Sequence, residues 1–294
     1  MSIITSWVDA HHHLWDLDKV YYPWLSAKGE QRFFGQPDPI RKNYLVNDFA
    51  SDHQNNIAQS IHIQVGASNP LAETALIEEL AQGNQGGLPS AAVVAVDMRQ
   101  TSIERALAPH LHYKITRGVR DIIGKSPEEN KLLPAFIPDI WLDNWLYLAS
   151  KDLTFDLQLT SEQYESVYNT LVKVPELKVA ICHFASPWDQ SEVGFKHWQH
   201  HMKAFAKLPN CYMKLSGISM FSHAFEPDKF KQYAHEAIEI FGPNRCMFGS
   251  NFPVDKLYVS YQDLFTQWQA VTSLYTTSEA NDLAANTARR FYSL

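Results

Sequence analysis

Eight short apolar runs, each followed by a longer stretch of mixed polarity, limit what this chain can fold into more than any other feature. The runs are Trp7–His13, Ser60–Val65, Ala92–Asp97, Arg117–Ile122, Thr154–Leu159, Lys178–His183, Cys211–Ser216 and Cys246–Ser250. Several are near-continuously apolar, as strands covered on both faces are. Helical spacing follows most of them, over Leu71–Gln82, Ile103–His110, Ala135–Ser150, Ser161–Lys173, Phe195–Leu208, Pro227–Phe241 and Tyr261–Leu274. Strand–helix alternation repeated eight times predicts an α/β fold, a closed parallel (β/α)8 TIM barrel. An open doubly wound sheet competes with it, but would want a glycine-rich phosphate loop after the first strand, and none is present. The length of 294 residues suits one such barrel, and no low-complexity linker or composition shift divides it. A single domain over 1–294 is expected.

The segment from Leu14 to Asn47 does not fit a short strand-to-helix connection. It is rich in aromatics and prolines, among them Tyr21, Tyr22, Pro23, Trp24, Phe33, Phe34, Pro37 and Pro39. A connection this long usually has a task, such as covering a site. It leaves the C-terminal end of the first strand, the face where barrel enzymes place their chemistry. A packing arm over the barrel wall is the plainer alternative.

Composition narrows the partners. Hydrophobic residues make up 45% and charged residues 19%, and the net charge is −7. That balance gives no reason to expect nucleic acid or an anionic membrane. No apolar run approaches the roughly 18 residues of a membrane span, and Met1–Val8 lacks the basic end and apolar stretch of a signal peptide. Cys182, Cys211 and Cys246 are widely spaced, each in or beside a strand-like run, and read as buried free thiols of a cytoplasmic protein. The expected partner is a small-molecule substrate, with a homo-oligomer also allowed.

The first run ends Val8-Asp9-Ala10-His11-His12-His13. Side chains alternate along a strand, so His11 and His13 share a face and His12 takes the other. Two imidazoles projecting from one strand end can grip a divalent metal or polarise a carbonyl. His183 closes the sixth run, as a turn residue or as a site residue at the barrel mouth. Arg117 and Arg120 point to opposite faces of a regular strand, so one of them reaches the pocket, and Arg120 is favoured. Its guanidinium suits a carboxylate or a developing oxyanion, with a structural ion pair as the alternative. Gln158 and Lys214, on the fifth and seventh runs, are further candidates for binding substrate.

These residues, in this order, resemble the amidohydrolase-related (amidohydrolase 2) family of the amidohydrolase superfamily, in the branch of sugar lactonases and pyrone-dicarboxylate lactonase. The matching stretches are Val8-Asp9-Ala10-His11-His12-His13-Leu14-Trp15-Asp16, Tyr22-Pro23-Trp24-Leu25, Arg117-Gly118-Val119-Arg120, Phe155-Asp156-Leu157-Gln158, Met213-Lys214-Leu215-Ser216-Gly217 and Met247-Phe248-Gly249-Ser250-Asn251-Phe252-Pro253-Val254-Asp255. Asn286-Thr287-Ala288-Arg289-Arg290-Phe291-Tyr292 is similar to the family's last helix. The resemblance implies a barrel with His11, His13 and His183 at the site, hydrolysing a cyclic ester.

One position departs from the pattern. Many members carry an aspartate after the eighth strand, as base for the attacking water and, in metal-bound relatives, as a ligand; this chain has Asn251. Asparagine takes no proton at neutral pH. Asp255, four residues on, is expected to supply the carboxylate if the loop folds back, or else a histidine acts as base. His11, His13 and His183 can hold a divalent metal, most naturally zinc, with a position left for water; some lactonases of this branch work without metal. Trp15, Tyr22 and Trp24 are expected to stack on the substrate ring. The expected activity is opening of a small lactone derived from a sugar acid. A metal-dependent decarboxylase and a binding barrel without catalysis are the alternatives.

Overall fold

The computed structural model describes residues 4, 6–84, 86–127 and 139–294. Eight parallel strands follow one another around a single sheet in sequence order: β1 (Val8–His12), β2 (Gln59–Ile63), β3 (Ala91–Ala95), β4 (Thr116–Ile122), β5 (Thr154–Gln158), β6 (Val179–Ile181), β7 (Cys211–Leu215) and β8 (Cys246–Phe248). Each lies within or overlaps one of the eight apolar runs. The chain just after β8 closes the ring against β1: the Asn251 amide donates to the His11 carbonyl, and the His13 amide to the Phe252 carbonyl, each at 2.7 Å. The result is a (β/α)8 barrel.

Helices sit outside the strands where the periodicity places them. Pro227–Phe241 has the expected bounds; Pro70–Gln82 and Tyr261–Thr272 differ at one end. The helix after β6 begins at Glu192 rather than Phe195, because Ser191 caps it by accepting from the Gly194 amide at 3.2 Å. Of the stretch 135–150, residues 135–138 lie outside the described residues, and Asp139–Ser150 is helical. An unanticipated helix, Val46–His53, follows the long first loop and buries Phe49 and His53. All three cysteines are buried and free. Among the described residues no helix is long and apolar enough to cross a membrane.

The loop after β1 is closed at its base. Trp15 and Tyr44 exchange two backbone hydrogen bonds of 3.0 Å. From there it arches over the C-terminal end of the barrel, and Phe34 joins Met220, Phe221 and Val254 in a small apolar cluster above the strand ends.

Candidate active site

The register of β1 shifts between Asp9 and His12, and alternation holds from His11 to His13. His11 and His13 face the barrel interior, with ring centroids 5.1 Å apart. His12 points the other way, stacking on Phe49 at 4.1 Å and bonding the Ser60 hydroxyl at 2.9 Å. His183, directly after β6, brings its ring within 4.4 Å of His11. Two glycines make room for this set. A Cβ at Gly249 would meet His11, and one at Gly217, which adopts φ +64°, would collide with the His183 ring.

Hydrogen bonds fix the rings. His13 Nδ1 donates to the Ile63 carbonyl at 2.7 Å, so its Nε2 presents a lone pair when the ring is neutral. That Nε2 lies 3.2 Å from Asn251 Oδ1. His183 Nδ1 bonds the Ser216 hydroxyl at 3.0 Å. Neither ring nitrogen of His11 has a partner among the described residues, although both are buried. Burial holds all three imidazoles well below the usual histidine range, and the Arg120 charge adds to this for His13 and His183. They are neutral at pH 7. Backbone strain collects at the same place: His183, Phe184, Ala185 and Ser186 all have φ between 51° and 58°, a left-handed turn without glycine.

Above these rings lies a cavity of about 390 Å³, and His13, His183, Asn251, Arg120 and Gln158 line it. Trp24, Phe33 and Phe34 of the first loop form part of its wall, so the loop does cover the site. Arg120 is buried; its Nη1 donates to Gln158 Oε1 at 3.4 Å and its Nη2 donates to the Gln64 carbonyl.

Other expected site residues lie elsewhere. Lys214 does not reach the cavity: it is fully buried between strands, ion-paired to Asp156 at 2.6 Å, with Tyr292 donating to the same carboxylate at 2.8 Å. An apolar-flanked lysine inside a barrel needs such a counter-charge. Trp15 does not face substrate either. It is fully buried and donates to the Lys42 carbonyl at 2.7 Å, while Trp24 packs edge-on against it and reaches the cavity. Tyr22 is likewise packed inside. Asp255 stands behind Asn251, accepting from its Nδ2 at 3.0 Å, and does not line the cavity. Burial pushes its carboxyl up to about 7.

Sequence reasoning missed Asp9. It accepts from the His11 amide at 3.1 Å, the Ser250 amide at 2.9 Å and the Tyr261 hydroxyl at 2.9 Å, and so ties β1 to the segment after β8. The strand register shifts between Asp9 and His12, so the two-residue alternation gave no signal for it.

Among the described residues no three histidine, cysteine, aspartate or glutamate side chains converge as a metal shell. What converges includes an amide. His13 Nε2 and Asn251 Oδ1, two acceptors, face each other at 3.2 Å, and the His11 nitrogens are buried without partners. Two lone pairs held side by side suit a cation, so this donor set fits a divalent metal.

An amidohydrolase family model matches residues 8–294. The chain is 33% identical over 293 residues to the uncharacterized protein y4mH of Sinorhizobium fredii, covering 97% of each. It is 25% identical over 311 residues to an L-fucono-1,5-lactonase of Burkholderia multivorans, covering 98% of this chain and 96% of that one. Its fold matches that of a Burkholderia multivorans amidohydrolase crystallised with bound zinc, with a TM-score of 0.81 and 21% identity over 99% of this chain and 100% of the other. With the family's pattern running from the first strand to the last helix, the chain belongs to the amidohydrolase family.

Proposed function

We propose that this protein hydrolyses a small lactone, one derived from a sugar acid. The observation that carries the reading is the convergence of His13, His183 and Arg120 on one enclosed cavity roofed by Trp24 and Phe34. The L-fucono-1,5-lactonase named among its relatives supports the same class of substrate. Water adds to the lactone carbonyl carbon and the ring C–O bond breaks. One water proton passes to the departing alkoxide and the other is released as the carboxylate forms.

His183 is the base. Its ring is neutral, is held through Nδ1 by Ser216, and stands at the cavity wall. Arg120, steadied by Gln158 and Gln64, binds the oxygen on which negative charge develops and then the product carboxylate. Asn251 and, behind it, Asp255 are positioning residues. Trp24 stacks on the ring and excludes solvent. His11 and His13, with the Asn251 amide oxygen, would hold a divalent metal and leave His183 free as the base, zinc being the natural ion for such donors. When bound, it supplies Lewis acidity to the carbonyl.

A pH-indicator screen of aldonolactones, run with and without added zinc, tests the reading. Proton release with ring opening is the expected result. Carbon dioxide release from aromatic acids without lactone turnover would move the protein to the decarboxylases, and tight binding with no turnover would make it a binding barrel.

A further inference from the structure

Arginines that are buried need partners for their N–H groups, and a fully satisfied guanidinium says little about ligands. Only two arginines among the described residues keep a buried N–H with no partner, the Nε of Arg32 and the Nε of Arg120. Both line the same cavity. They come from different elements, Arg120 from β4 and Arg32 from the loop after β1.

Neither forms an ion pair with a carboxylate among the described residues, whereas Arg41, Arg99 and Arg290 do. Among the described residues the one carboxylate in the cavity wall is that of Glu30, an exposed residue. The Arg32 backbone is nevertheless fixed. Arg32 and Gly35 exchange two 2.9 Å hydrogen bonds, and Tyr258 donates to the neighbouring Phe34 carbonyl at 2.8 Å. The side chain is thus carried on a braced hairpin turn while its Nε–H is left without an acceptor.

A lactone hydrolase makes one carboxylate, and Arg120 answers it. Arg32 is then a cation too many for a neutral lactone. We propose that the substrate carries a carboxylate of its own in addition to the lactone ring, and that Arg32 binds it. The Nε and one Nη of a guanidinium offer a fork that matches a carboxylate edge-on. Trp24 and Phe34 supply an apolar surface for the ring between the two charged ends. This inference rests on the lactone-hydrolase reading and makes the product a hydroxy-dicarboxylate.

The test is a matched pair of lactones with the same ring, one bearing a carboxylate and the other its carboxamide. In the unaltered protein the acid is expected to have a kcat/KM roughly a hundredfold higher, carried by KM. Arg32→Gln should collapse that ratio toward one, and Arg32→Lys should restore only part of it, because an ammonium lacks the fork. Equal values for acid and amide in the unaltered protein, or a ratio that survives Arg32→Gln, would overturn the proposal while leaving the hydrolase intact. Should neither lactone be hydrolysed, the hydrolase reading falls, and calorimetry with the cyclic-ether carboxylate of the same ring decides the anion site separately. Binding that is lost in Arg32→Gln supports it, and no binding to the unaltered protein overturns it.

Discussion

Asn251 turns its amide oxygen to within 3.2 Å of His13 Nε2 while its amide nitrogen donates to Asp255 at 3.0 Å. Asp255 therefore sets which end of the amide faces the histidines. The position keeps the side-chain oxygen of an aspartate and gives up its charge. Purified protein is expected to hold about one divalent ion per chain, with activity lost on chelation and regained with zinc. Asn251→Asp should slow metal release by tenfold or more, since a carboxylate is the stronger ligand. Metal-free protein with full turnover would refute this.

His13→Ala should reduce kcat/KM by about a thousandfold or more. Far-ultraviolet circular dichroism should remain that of the unaltered chain, because the ring projects into the cavity rather than between strand and helix. Near-normal turnover in this variant would remove the centre of the proposed mechanism.

Lys214 separates a structural from a substrate-binding role. Removing one partner of a fully buried ion pair leaves an uncompensated carboxylate, so Lys214→Ala should cost about 3–5 kcal/mol of stability. A stable variant whose KM alone rises would return Lys214 to the substrate.

The first and last of the expected site residues were legible for different reasons. His11 and His13 could be read because a strand's two-residue period is local and the run ends where a barrel places chemistry. His183 followed from the end of the sixth run, and Asn251 only from the family resemblance. Lys214 could not be separated from these by pattern, since its strand is equally apolar and its partner Asp156 lies 58 residues away. Trp15 and Trp24 stand in one aromatic segment, and only the fold of the loop decides which faces the cavity. Arg32 gave no signal at all, because its isolation is a property of three-dimensional packing.

Burial also shapes the response to pH. The carboxyl of Asp255 is pushed up to about 7 and those of Asp9 and Asp121 to about 6. A carboxyl raised in the folded state favours folding while it is protonated. That contribution is complete below about pH 4 and is lost as the pH rises through the folded value. The buried rings of His11, His12, His13 and His183, held well below the usual histidine range, act in the opposite direction between pH 5 and 7, so the carboxyl contribution is read from a variant. In metal-free protein the stability of Asp255→Asn relative to the unaltered chain should rise from pH 5 to pH 8, by on the order of 3 kcal/mol. An identical pH slope in the variant would show that Asp255 ionises in the folded protein as freely as in the unfolded chain.

The pair of hydrogen bonds that joins His11 and His13 to the segment after β8 has a consequence for how this protein fails. His11 and His13 come from one end of the chain and Asn251 from the other, and the seam between them is also the last joint of the barrel. A molecule opened at that joint keeps most of its secondary structure and has no active site. Inactivation is then an all-or-none event tied to ring closure, with no half-working intermediate. In increasing denaturant, turnover should vanish at or before the midpoint read by circular dichroism and never outlast it.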